Sequence, residues 1–454
     1  MILHRNNEKC STADWNRTLC LIFCALIAIW LCVAQIIGNP LLLLPCLGCF
    51  LLLVLWSCTQ GLVVPVLLFF LPWSALLKYS IDSSSFYTLA LLFSAMFFCF
   101  RKGVKLRIYF LILALLIMVS TLVAKLVNDY SVDAGYIVFI FLLAFFPVLL
   151  SDGLKDVDFY WLTIFFAIGI ISAAISAQYL TVYRNISKYI EVDQFHEVTR
   201  LSGYYSDPNM YATHISACLS GMLLLLLHEK KVWRIVLLSV GVLTLIYCGF
   251  LSASKTFVVL TVATIIVWFF LVLRMRRNGL KKFFLLVVIA AFSVFVLTST
   301  LFQSLLRIYQ VRFSFNSSIS DITTGRTDLW MMYCDELFSN AKLFLLGQGF
   351  TNINLKARAS HSTLIQTVYQ FGVFGGAAII AWLIGYCKQI LCLCPLRKIN
   401  IGYALVLCIG ALGSWFVLDM MFRDELFLIP LYVFFGIAFF HSETAALDTP
   451  NGEA

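Results

Sequence analysis

The sequence predicts an all-α polytopic integral membrane protein, and three observations carry that prediction. Of 454 residues, 62% are hydrophobic and only 12% are charged, about half the roughly 25% charge of a soluble chain. Mean hydropathy is +0.95, and a surface this apolar has to be covered by lipid. The apolar residues gather into runs near the 17–25 residues that cross a bilayer as a helix. Finally, the short basic clusters between runs all fall on one side when the runs alternate.

In order, the runs lie near 18–37, 40–57, 61–77, 86–100, 108–126, 133–150, 158–177, 209–227, 233–251, 256–273, 283–300, 361–386, 400–418 and 425–441. That makes about 14 (12–14) spans. Pro40, Pro45, Pro65 and Pro72 leave open whether 40–77 crosses twice or re-enters the same face. The first run follows a polar segment and has no small-residue cleavage site, so it reads as a retained anchor.

Placing Arg5, Lys9 and Arg17 in the cytoplasm puts Arg101, Lys102, Lys105 and Arg107 there too, then Lys155, Lys230, Lys231 and Arg234. The cluster at 274–282 and Lys388, Arg397 and Lys398 follow on the same side. Both termini are thus expected inside. The net charge of +9 is then mostly topology, and nucleic acid is not expected as a partner. The organisation read from this is a cytoplasmic tail (1–17), an N-terminal transmembrane bundle (18–177) and a first long outer loop (178–208). Central transmembrane helices (209–300), a second long outer loop with an amphipathic helix (301–360), C-terminal transmembrane helices (361–441) and a cytoplasmic tail (442–454) complete it. The 15 cysteines lie largely in or beside spans with no paired framework, and read as small apolar residues without a structural disulfide.

Loops on a rigid scaffold are where sites sit, and only two outer loops are long. The first ends in RLSGYYSDPNMYATHIS, Arg200 to Ser216. Pro208 suits a first helical turn and Asp207 can cap it; taken alone, this is equally a helix cap beside a snorkelling arginine. The second feature, LSASKTF from Leu251 to Phe257, puts Lys255 at a tight outer turn among hydroxylic residues. Lys255 either snorkels to water or faces an anion. The third, TTGRTDLWMMYCDELF, reads as a helix starting at Thr327 or Asp328, with Trp330, Met331 and Phe338 on one face. Such a helix suits the membrane surface, with Trp330 at headgroup level. Arg326 stands at its N-terminal end, where free N–H groups favour anions. Gly347 and Gly349 then mark a turn, and Ser360-His361 opens the next span. Glu191, Asp193, Asp207, Asp321, Asp328 and Glu336 are scattered without an Asp-x-Asp pair, so no metal and no other cofactor is expected.

Arg200…Gly203…Asp207-Pro208-Asn209, Ser254-Lys255, Gly325-Arg326…Trp330, Gly347…Phe350 and His361 occur in that order. Over roughly residues 200–390 the pattern resembles the O-antigen ligase and polymerase superfamily, membrane glycosyltransferases of GT-C type. The N-terminal half matches only as a stack of spans. The resemblance implies transfer of a glycan from an undecaprenyl-diphosphate-linked oligosaccharide to a glycan or lipid acceptor. It implies the extracytoplasmic face of the bacterial cytoplasmic (inner) membrane, with membrane lipid and other polysaccharide-assembly membrane proteins as partners. In the family two arginines hold the diphosphate and a histidine is the general base, without metal. Carried over, Arg326 is one clamp and His361 the base. The other clamp falls on Lys255, where the family usually has arginine; the charge is kept but the bidentate fork is lost. Arg200 is then expected to share the task, with Asp207, Asn209 and Trp330 lining the diphosphate and glycan.

Repeat-unit polymerisation is the first expectation and attachment of finished glycan by a ligase the second. The Arg-x10-Gly spacing of some polymerases is absent, since Arg200 leads to Tyr211 and Arg312 to Thr323. A transporter or flippase of lipid-linked sugars would call for charged or broken helices at mid-membrane, and the spans are nearly free of central charge. If His361 is not the base, the role falls to His196, Glu197 or Asp424.

Overall fold

The computed structural model describes residues 7–80, 83–102, 107–128, 134–154, 157–190, 192–195, 198–205, 207–274, 279, 298, 300–314, 323, 325–349, 355, 358–392, 400–420 and 423–448. The elements are α1 (Asn7–Ile37), α2 (Pro40–Gln60), α3 (Val63–Phe70, extended by a tight turn over Leu71–Trp73), α4 (Phe86–Lys102), α5 (Ile108–Asn128), α6 (Ala134–Phe145) and α7 (Leu149–Asp152). Then come α8 (Phe159–Leu180), α9 (Arg184–Ser187), the strands β1 (Val192–Phe195) and β2 (Val198–Leu201), α10 (Pro208–His228), α11 (Val232–Leu251) and α12 (Lys255–Arg274). The chain continues with α13 (Thr300–Ser314), α14 (Arg326–Ser339), α15 (Ala341–Leu346), α16 (Thr363–Leu391), α17 (Ile401–Leu412) and α18 (Glu425–Asp448). Eight of these helices are long and apolar enough to cross a membrane, and five shorter apolar helices accompany them. The chain is an all-α polytopic membrane protein. The span expected at 283–300 lies almost entirely outside the described residues.

The proline-rich pair at 40–77 resolves into unlike halves. Asn39 caps α2 by accepting from the Leu41 N–H, with Pro40 at the first helical position where a missing N–H is harmless. The stretch Val63–Trp73 is short and wholly buried. At 1.5 Å per residue it covers only about half of a bilayer core of ~30 Å.

Helix ends sort onto two faces. On one, Asn16 donates to Gln60 at 3.2 Å, Arg17 lies 6.0 Å over the Trp161 ring, and Arg234 lies 4.6 Å over Tyr160. On the other, Gln35 donates to the carbonyls of Leu76 and Lys78, and the Tyr204 hydroxyl donates to Ser176 Oγ at 2.8 Å. Arg17 and Arg234 therefore stand opposite the end of the bundle that carries the loop around residue 204. Through the middle runs α10, whose apolar stretch is entirely buried, so the element starting at Asp207 is the axis of the bundle.

The long helix α16 is broken. Gly372 has φ +66 and ψ −177, and the carbonyls freed at the break are taken by the preceding loop. Gln348 N–H donates to Tyr369 O at 2.9 Å and Gly349 N–H to Gln370 O at 2.8 Å. An unpaired carbonyl in lipid costs several kcal/mol, which is why the Gly347-Gln348-Gly349 stretch lies here. The two backbones touch: a Cβ on Gly347 would stand 2.4 Å from Gln370 O and from Gly372 N. Outside this break, Tyr333, Leu337, Leu343 and Tyr369 form a second small core beneath α14 and α15.

Gly347→Ala combines that clash with a left-handed φ of +72 and is expected to destabilise by about 2–4 kcal/mol. Gly48→Ala has nothing within 4 Å of the added carbon and is expected to be neutral. Thermal melts of the purified variants check both; a Gly347→Ala melt equal to that of Gly48→Ala would contradict the packing.

Candidate functional site

Three segments remote in sequence meet at the start of α10. Asp207 is extended (φ −135, ψ 123) and its Oδ1 accepts from the Asn209 backbone N–H at 2.7 Å and from Asn209 Nδ2 at 2.8 Å. That orients the Asn209 amide so that its Oδ1 accepts from Ser254 Oγ at 2.7 Å and from Arg200 Nη2 at 3.4 Å. Arg200, on β2 opposite Asp193, also donates from Nε to the Ser252 carbonyl at 3.2 Å. The chain turns between α11 and α12 through Ala253, held at φ +47. Arg200 is thus buried and braces this turn, a structural duty beyond the clamp role expected of it.

Lys255 opens α12 but its ammonium lies 5.4 Å over the Phe313 ring. The charges acting on the His361 ring include Arg326, Asp207, Arg423 and Arg358. A Lys ammonium reaches anion and ring alike; here it is on the ring.

Arg326 is the first residue of α14, after Gly325 in the left-handed region at φ +78. Thr323 stands in for a cap: its Oγ1 accepts from the Thr327 N–H at 3.3 Å and contacts Thr327 Oγ1 at 2.7 Å. Burial pushes the Arg326 pKa down, Asp207 pushes it back up, and Arg200 lowers it again. The group stays cationic throughout, since guanidinium does not deprotonate in proteins. Arg326, Asp207 and Arg200 therefore feel one another across two loops.

His361 precedes α16 with φ +51, one of two non-glycine residues in the left-handed region among those described. The other is Ala253, on the same face. Strained backbone persists where its surroundings over-determine it, and here they do. The Ser360 N–H donates to Gln366 Oε1 at 3.0 Å, the Ser360 carbonyl accepts from Trp330 Nε1 at 3.0 Å, and Ser360 Oγ donates to the Ser362 carbonyl at 3.1 Å. On the other flank Thr363 Oγ1 donates to Leu418 O at 2.7 Å. Burial lowers the His361 pKa most, Arg326 lowers it further, Asp207 opposes, and Arg423 and Arg358 add to the lowering. The ring is held neutral.

The helix α14 differs from a piece lying flat on the membrane. Met331 and Phe338 are exposed, but Tyr333 and Leu337 are buried, and Trp330 points its N–H at Ser360. Tyr333 Oη donates to the Arg358 carbonyl at 2.6 Å. Trp330 and Tyr333, one turn apart, together hold the chain leading to His361; a buried indole or phenol seeks a polar partner, and this loop supplies both. Trp330 is thus a brace of the histidine loop.

Arg358 and Arg423 were missed in the sequence. Arg358 stands just before His361, and Arg423 heads the Arg423-Asp424-Glu425 run at the start of α18; polar charge at the mouth of a span was the available signal. Asp424, a candidate base, accepts from Thr88 Oγ1 at 3.1 Å and its carboxyl is pushed up to about 7 by burial, with Glu425 adding. The candidate bases His196 and Glu197, together with Phe350, lie outside the described residues. Among the described residues no three His, Cys, Asp or Glu side chains converge as metal ligands would.

The fold and this site define a multi-pass membrane protein with a cationic cluster around a histidine at one end of the bundle. Comparison with protein-family models finds no match, and comparison with curated proteins finds no similar sequence.

In an NMR titration, the His361 midpoint is expected below the ordinary 6.5. Arg326→Ala should raise it and Asp207→Asn should lower it further. A parent midpoint above 6.5 would contradict the arrangement of charges.

Proposed function

We propose that this protein polymerises undecaprenyl-diphosphate-linked oligosaccharide repeat units at the extracytoplasmic face of the bacterial cytoplasmic membrane. The observation that carries the reading is a half-buried guanidinium, Arg326, at a helix N-terminus beside a histidine whose pKa is pushed down. In the reaction, the acceptor hydroxyl oxygen attacks the anomeric carbon of the donor while His361 takes the hydroxyl proton. The bond from that carbon to the diphosphate oxygen breaks, and the electron pair leaves with undecaprenyl diphosphate.

Departure concentrates negative charge on the diphosphate, and fixed cations away from bulk water stabilise that charge. Arg326 serves as the clamp at the positive end of α14. Arg423 and Arg358, which act on the same ring, complete it, while Lys255 and Arg200 shape the wall. A lowered imidazole pKa keeps the base unprotonated at neutral pH. A flippase reading loses support because the carbonyls freed at the break in α16 are taken by Gln348 and Gly349.

The test is reconstitution in vesicles with lipid-linked single repeat units, scored as a ladder of longer lipid-linked chains. Arg326→Ala should abolish the ladder at normal protein level, and Arg326→Lys should recover only part, because the fork is lost. His361→Gln should lose on the order of 10²–10⁴-fold in rate. The parent rate should fall as pH drops through a midpoint below 6.5, since protonation of the ring removes the base. Transfer to a different acceptor without lengthening would favour the ligase reading. Near-parent turnover by His361→Gln would remove His361 as the base.

A further inference from the structure

Below the site lies a buried pair that this mechanism does not use. His214 of α10 is fully buried, and its Nε2 stands 3.0 Å from Oε1 of Glu425, the first residue of α18. Its Nδ1 is 2.9 Å from the Met210 carbonyl oxygen. A carbonyl only accepts, so Nδ1 carries a proton. A neutral ring would then turn the bare lone pair of Nε2 toward a carboxylate. The contact is attractive only if the pair holds one more proton, as imidazolium with carboxylate or imidazole with carboxylic acid.

The surroundings do not replace that proton. The Tyr205 ring stacks on His214 at 4.6 Å and 15°, and Phe166 meets it edge-on. The charged and titratable groups facing the pair are Arg423 and Asp424 on its own strand of chain, Tyr205 from the loop after β2 and Tyr87 from α4. Lys78 acts on Asp424 from the turn after α3. The location gives the pair its meaning. Asp207 and Asn209 are in the first turn of the same α10, and Arg423 lies directly before Glu425. The contact ties the two pieces of chain that bring these groups to His361.

We propose that His214 and Glu425 are positioning residues that share a proton, lock the start of α18 onto α10, and make anion binding at the site above them fall reversibly at alkaline pH. The locked pair holds one proton more than a separated neutral imidazole and carboxylate. Raising the pH therefore favours separation, and Arg423 is released from its place near His361. The inference rests on the proposed function only in taking the arginine cluster as an anion site.

Glu425→Gln separates the proton from the shape. Its amide N–H donates to Nε2 without any extra proton, so the lock closes at every pH. For the purified full chain in lipid nanodiscs, inorganic pyrophosphate should bind on the order of tenfold more weakly at alkaline than at neutral pH, the size of a typical coupling between sites. In Glu425→Gln the profile should be flat, and in His214→Ala binding should be weak throughout. An alkaline fall identical in parent and Glu425→Gln overturns the proposal, as does loss of binding at every pH in a folded Glu425→Gln protein. Hydrogen exchange on the parent alone is the second measurement, and it needs neither ligand nor variant. Segments 207–214 and 423–428 should open together at alkaline pH, beyond the intrinsic rise in exchange. If they do not, the lock fails even where pyrophosphate binds. If they do, and pyrophosphate binds at no pH, the anion-site reading fails and the lock stands.

Discussion

Guanidinium groups held close together repel one another, and the architecture around His361 follows from how the repulsion between Arg200 and Arg326 is contained. Two unit charges 4 Å apart interact by roughly 4 kcal/mol at an effective dielectric of 20. Arg200 and Arg326 are near enough to oppose each other, and Asp207 offsets both burial and repulsion at Arg326. Asp207 is itself committed to capping α10 through the Asn209 N–H. The capping residue of the most buried candidate span is thus also a counter-ion of the cation cluster. The central helix cannot shift without disturbing the charges.

The second constraint is the left-handed backbone at His361. A side chain there is strained by roughly 1–3 kcal/mol, and the Trp330, Gln366 and Thr363 hydrogen bonds hold it. The consequence is a histidine carried on a loop fixed from both flanks. Arg326 and Trp330 lie on one turn of α14, so the helix that brings the cation also braces the base. For the proposed transfer this couples leaving group and proton acceptor in one element.

Local chemistry was legible in the sequence where it acts over a few residues. Asp-Pro-Asn announces the start of α10, and Gly-Arg announces the start of α14 with Arg326 at its head. The apolar runs announce the long helices. What could not be read acts across the chain. The Gly347 and Gly372 backbones meet around a break in α16 that hydropathy alone does not reveal, because the whole stretch is still apolar enough to span. Trp330 reads as an interfacial aromatic until the Ser360 carbonyl is seen opposite it. Lys255 occupies a motif position, yet Phe313 captures its ammonium. Arg423 reaches His361 only through the fold, and His214 in an apolar helix looks like core until Glu425 is brought against it.

A structure of the full chain by electron cryo-microscopy in nanodiscs with undecaprenyl diphosphate bound would decide whether these groups form one substrate site. The diphosphate is expected against the first turn of α14, with Arg326 on its oxygens and the His361 ring facing the remaining open side. Diphosphate seated elsewhere on the bundle, with Arg326 and His361 out of reach, would contradict the account.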